Sequence, residues 1–269
     1  AIAAVIGLAI GTGLYGLRHQ STPAWLDTLS PAAGEDIAFT SHKAIYRFSL
    51  LSVTSGAGVS DIRGQMYYEQ DDACDAWTSD HRFTSEYHYP ERAPVLSTSQ
   101  YAAWEAKDGS LFHFSSERKE NNEVVEQLRG MVERAADTSA KAQYARPPEL
   151  GFDLPAGYVL PMHHTAEIIR HARAGEKFYL ATLFDGTDAE GPVEVSAVIG
   201  KKLSASEIDA VAKQSPKIAG VLLSPEAWHV RMAVFPLKTQ RAEEGATPSY
   251  EMDLILHDNG VVGRAIVDY

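Results

Sequence analysis

From Thr40 onward the chain alternates apolar and polar residues with a period of two, segment after segment, and few folds are open to such a pattern. Successive side chains of an extended strand point to opposite faces, so each run buries one face and wets the other. In residues 42–53 the set Ala44, Tyr46, Phe48 and Leu50 alternates with Lys43, Arg47 and Ser49. In residues 77–87, Trp77, Ser79, His81 and Phe83 alternate with Thr78, Asp80 and Arg82. Turn signals punctuate the runs. Asp108-Gly109 separates residues 95–106 from 110–118, and Asn259-Gly260 separates 250–257 from 261–269. Both dipeptides accept the positive φ angles of a type I′ turn, whose twist matches that of paired antiparallel strands. Gly56-Ala-Gly58 reads as the hairpin loop from the first strand to residues 59–69. Further strands are expected at 124–133, 140–144, 178–185, 193–199 and 228–237, which makes the chain an all-β, antiparallel protein.

Two helices interrupt the strands. In residues 162–174, Thr165, Ile168, Ile169 and Ala172 share a stripe at helical spacing, Glu167, Arg170 and His171 lie off it, and Gly175 is placed to cap the end. This helix should lie on a sheet or plug a barrel mouth. The second, at residues 205–214, starts with the capping-box spacing Ser204-x-x-Glu207 and is stopped by Pro216.

The stretch from Ala1 to Leu17 carries no charge and ends at Arg18, which suits the apolar region of a signal peptide and is marginal for an anchor of about 20 residues. Residues 1–35 therefore read as leader and linker, and 36–269 as one exported domain. Both ends read as cut, because the chain opens without methionine and stops at Tyr269 inside a strand-like run. Cys74 is the single cysteine. In an exported chain it is a free thiol, an intermolecular bridge, or half of a bridge whose other half lies outside the sequence, and the cut ends favour the last. With 24 basic and 36 acidic side chains the formal charge is −12, which repels nucleic acid and anionic head groups.

The best candidate for chemistry is His164-x-x-Glu167-x-x-x-His171, since on a helix two imidazoles and a carboxylate project near one another and suit a metal. The plainer alternative is a polar helix face with Glu167 paired to Arg170 or His171, and the His-Glu-x-x-His order of zinc peptidases is missing. Ser116-x-x-Lys119 has the spacing of acyl-serine enzymes without their companion motifs. Asp71-Asp72-x-x-Asp75 clusters carboxylates but fails the order of a calcium loop. The Gly56-Ala-Gly58 loop has no lysine after it and leads into a strand, so it is no phosphate loop. Tyr46, Phe48, Trp77, Phe83, Tyr101 and Trp104 line a lipid cavity or, more simply, form core. No catalytic set and no cofactor motif emerges.

Several of these segments together resemble a known family. His42-Lys-Ala-Ile-Tyr46, Gly64-x-Met66-x-Tyr68 with Cys74, Trp77 and Arg82-Phe83, Lys107-Asp-Gly-Ser-Leu-Phe112, and above all Gly175-Glu-Lys-Phe-Tyr-Leu-Ala-Thr-Leu-Phe-Asp-Gly186 are similar to the cell-envelope integrity protein EipB family. The resemblance runs from about residue 40 to the end. It implies a periplasmic antiparallel β-spiral, an open barrel of about 14 strands partly like the lipoprotein carriers LolA and LolB. It also implies a disulfide from Cys74 to a cysteine beyond Tyr269, and a tetratricopeptide-repeat protein among the partners. The expectation is a non-enzymatic, cofactor-free periplasmic protein that maintains the envelope by presenting a concave face to a protein or lipid partner. The alternatives are a soluble lipid or lipoprotein carrier and, last, a metal-dependent hydrolase at His164, Glu167 and His171. The segment 204–225 departs from the family pattern.

Overall fold

Within each sheet every strand pairs antiparallel with its neighbour in sequence, the cheapest pairing where the connections are short. The computed structural model describes residues 37–53, 58–135, 139–214, 224–237 and 247–269. The leader expected at 1–35, Gly56, Ala57 and Pro216 lie outside the described residues. The first sheet runs in the order β1 (His42–Ser49), β2 (Asp61–Ala73), β3 (Ala76–His88), β4 (Val95–Ala106), β5 (Leu111–Glu120), β6 (Glu123–Arg134), β7 (Ala140–Arg146) and β8 (Gly151–Leu154). α1 (Pro161–Arg173) then leads to β9 (Phe178–Leu183) and β10 (Val193–Lys202), and α2 (Ala205–Gln214) leads to β11 (Ala227–Pro236), β12 (Tyr250–His257) and β13 (Val262–Asp268). These last five strands form the second sheet, in the order β13-β12-β11-β10-β9. Among the described residues the thirteen strands make an open, barrel-like spiral whose sheets do not close.

Burial follows the alternation. Ala44, Tyr46 and Phe48 turn inward while Lys43, Arg47 and Ser49 are exposed, and Trp77, Ser79 and His81 are buried beside exposed Arg82. Residues three apart on a strand point to opposite faces, so Tyr101 is core whereas Trp104 packs at a tilt against His113 on the outer side, at a ring distance of 5.9 Å.

The expected type I′ turns are corrected. Gly109 and Gly260 take φ of +68° and +83°, but Asp108 and Asn259 keep negative φ. The Gly109 N–H donates to the Ala106 carbonyl at 2.9 Å and the Gly260 N–H to the His257 carbonyl at 3.0 Å, which is a type I turn followed by a left-handed glycine. Asp108 serves the turn through its carboxylate, which accepts the Ser110 N–H at 2.9 Å. The type I′ geometry sits at Asn121-Asn122, with φ of +50° and +70°, between the paired residues Glu120 and Glu123.

The sheets and α1 share one core, in which Tyr68 and Trp77 meet Ile168, Ile169, Leu183, Val195, Met232 and Leu254. A second cluster joins Phe112, Phe114, Leu128, Val132, Tyr144, Leu154 and Phe184. Each such side chain contributes about 1.5–3 kcal/mol by leaving water. α2 covers Ile255 with Ile208 and Val211. Its capping box forms as expected: Glu207 accepts the Ser204 N–H at 2.7 Å, and these bonds hold the Glu207 carboxyl down to about 2.

Candidate functional site at the helical closure

α1 starts with a deficit. Leu160 at the N-cap has no side-chain oxygen and the first turn holds no acid, so the orphan N–H groups there need a partner from elsewhere. Glu105, at the end of β4, supplies it. Its carboxylate is 2% exposed and accepts the N–H groups of Met162 at 2.8 Å and His163 at 2.9 Å. The His163 ring lies between that carboxylate, 2.5 Å from Nδ1, and the Lys107 carbonyl, 3.0 Å from Nε2. Both ring nitrogens therefore lie within hydrogen-bond distance of an oxygen acceptor. Trp77 packs edge-on against His163 at 5.3 Å, and Lys107 pairs with Asp72 at 2.5 Å. The N-terminus of α1 is thereby fixed to the first sheet.

The other end of α1 meets the second sheet. The Glu176 N–H returns to the His171 carbonyl at 2.9 Å and the Gly175 N–H to Ala172 at 3.1 Å, the paired bonds of a Schellman cap. Arg170, His171 and Arg173 complement the carbonyl end of the helix, and Arg173 reaches Asp258 at 3.2 Å. Beyond them opens a cleft of about 360 Å³ lined by Arg173, Lys177, Lys202 and Glu226 around Trp228.

A third tie joins the sheets through the β9–β10 loop. The Tyr101 hydroxyl donates to the Asp185 carbonyl at 2.8 Å and Ser116 Oγ to the Thr187 carbonyl at 3.3 Å. Phe184 enters the aromatic cluster, and Gly186, at φ +69°, lets the Phe114 ring lie where a Cβ would stand 2.4 Å away. Burial pushes the Asp188 carboxyl up to about 7, and neighbouring Asp185 adds to the push. Residues Phe184-Asp-Gly186 end the most distinctive sequence segment, and this packing is the physical demand on them.

The sequence-predicted metal candidates share a helix, and His164 and His171 pack against the same Tyr179 ring, at 5.7 and 4.7 Å, but their polar groups are engaged separately. His164 points inward, 2% exposed, with its ring 5.7 Å from Tyr179, and burial lowers it to about 3, so it is neutral at ordinary pH. Glu167 pairs with Arg170 at 2.6 Å, and His171 bonds Glu176. Among the described residues no group of three or more His, Cys, Asp or Glu side chains converges as metal ligands do. Ser116 and Lys119 fall on opposite faces of β5, with Lys119 held by Glu117 at 2.7 Å. Cys74 is exposed at the tip of the β2–β3 hairpin, at φ +59°.

Sequence reasoning missed Glu105. The alternation of Tyr101, Ala103 and Glu105 puts a carboxylate on the inward face at the end of a strand, and that was its signal.

An open antiparallel spiral whose two sheets are bridged by one capped helix defines the class: a β-barrel-like protein with its closure built from α1. The chain belongs to the EipB-like family, which it matches over residues 33–269. It is similar to the cell envelope integrity protein EipB of Brucella abortus (strain 2308), 30% identical over 240 residues that cover 88% of this chain and 82% of the relative. In three dimensions it is similar to a crystal structure of a β-barrel-like protein of a domain of unknown function from Brucella abortus. The TM-score is 0.74 and the identity 26%, with 87% of this chain and 93% of that chain covered.

Proposed function

We propose that this chain is a non-enzymatic periplasmic protein that maintains cell-envelope integrity by binding a protein partner, with a tetratricopeptide-repeat protein as the partner class. The observation that carries the reading is its 30% identity to a cell envelope integrity protein across 88% of the chain. The interior adds support for a protein partner over an acyl chain. A lipid carrier needs an apolar cavity of about 300–1,000 Å³. Here the space between the sheets is filled by Phe112, Leu128, Phe184, Met232 and Leu254. Two surface hollows, of about 360 and 220 Å³, are lined largely by charged and polar groups such as Lys177, Lys202, Asp80 and Arg82. The hydrolase reading has the least support, because His164 is buried, Glu167 is paired with Arg170 and His171 bonds Glu176. A bridge from Cys74 to a cysteine beyond Tyr269 remains part of the proposal; Cys74 is exposed and accessible to it.

Deleting the gene should sensitise cells to detergent and to cell-wall antibiotics, and rescue should require an exported copy. Normal resistance in the deletion strain contradicts the role. Native mass spectrometry of protein taken from envelope extracts should find no retained lipid, whereas bound lipid would favour the carrier.

A further inference from the structure

β9 is the outermost strand of the second sheet, and its two halves differ. In the second half, the Thr182 carbonyl accepts the Val159 N–H at 2.9 Å and the Phe184 N–H donates to the Val159 carbonyl at 3.1 Å, so even-numbered residues turn their backbone groups away from β10. The same parity sends the N–H and C=O groups of Phe178 and Leu180 outward. Among the described residues no backbone group meets them there. Their side chains also face water, Phe178 at 73% exposure and Leu180 at 40%, and Val198, paired with Phe178 on β10, is 44% exposed. Scattered exposed apolar residues are ordinary, but three on one face beside an unpaired strand edge form a template for another strand.

Charge selects the occupant. The chain carries −12, yet the cleft at the start of β9 is lined by Arg173, Lys177 and Lys202 against Glu226 alone. Arg173 is paired with Asp258 and Lys202 with Glu226, while Lys177, next to Phe178, has no ion-pair partner among the described residues. We propose that the Phe178–Leu180 edge docks an extended segment of another protein as an added strand, with apolar side chains over Phe178, Leu180 and Val198 and carboxylates at Lys177. Backbone bonds would supply affinity and the alternate side chains specificity. A second copy of this chain brings another −12 and is the poorer occupant. The proposal rests on the reading of the protein as a partner-binding scaffold and says where on it the partner sits.

The test uses two capped synthetic peptides, Asp-Asp-Val-Thr-Val-Thr-Val and its counterpart with two lysines in place of the aspartates, titrated calorimetrically into the full chain with the Leu180 amide followed by NMR. The acidic peptide should bind saturably, slow hydrogen exchange at Leu180, and bind at least about tenfold tighter than the basic one. Leu180→Pro removes the outward donor without touching the β10 ladder and should weaken binding by about tenfold or more. Lys177→Glu leaves the backbone intact and should reverse the order of the two peptides. The proposal is overturned by equal affinity for both peptides, by no saturable binding, or by a Lys177→Glu variant with unchanged preference. Leu180 protection that rises with protein concentration alone would give the edge to a second copy and likewise overturn it. Envelope rescue by the intact chain would survive any of these failures, so the two readings fall separately.

Discussion

The two ends of α1 are built to opposite specifications. At its start every exposed requirement is met from another element: Glu105 takes two backbone N–H groups and the His163 ring, and Trp77 covers the ring's edge. At its finish the helix caps itself, then hands over to a strand whose first residues leave an apolar side-chain row and a backbone edge facing water. Folding explains the first end fully and the second only in part. Surface that folding leaves unsatisfied is where binding has room to act.

The comparison is broken most severely at Glu105. Glu105→Ala strands the buried Met162 N–H, the half-buried His163 N–H and the His163 ring, and should cost about 3–5 kcal/mol of unfolding free energy in urea titrations. A loss below about 1 kcal/mol would mean that the carboxylate does not anchor the helix. Gly186→Ala comes next, since it combines a φ of +69° with a Cβ 2.4 Å from the Phe114 ring, and about 2–4 kcal/mol is expected. A neutral result there would show that the β9–β10 loop does not hold the sheets together.

How much of this was legible in the sequence divides along the same line. Local demands are written locally: the alternation in β1 and β3, the Ser204-x-x-Glu207 box and the Gly175 cap each use residues a few positions apart. β8 escaped because Gly151–Leu154 is too short to show a period. Asn121-Asn122 was overlooked because glycine is the more familiar bearer of positive φ. The site was harder. Glu105 and Met162 are 57 residues apart, and no spacing rule links them. His164 could have been placed from its own helix, since it stands four residues before Ile168 and eight before Ala172 on the buried stripe.

A smaller effect concerns the inter-sheet loop. Burial and the nearby Asp185 raise the Asp188 carboxyl to about 7, against about 3.9 in the unfolded chain. The fold disfavours the ionised form, so stability is fully present below about pH 4, declines as pH rises through about 7 and levels off above it. Because Asp188 is only partly buried, the decline should be about 1–2 kcal/mol between pH 5 and pH 8. Asp188→Asn should remove most of it. Parallel pH profiles for the two proteins would show that the loop carboxylate is freely solvated.

The contrast between the two ends is read most directly by residue-resolved hydrogen exchange on the free, unmutated protein. The amides of Met162 and His163 should exchange only through large-scale unfolding, and those of Phe178 and Leu180 at rates close to those of an unstructured chain. Equal protection at both ends, or faster exchange at Met162 than at Leu180, would contradict the account.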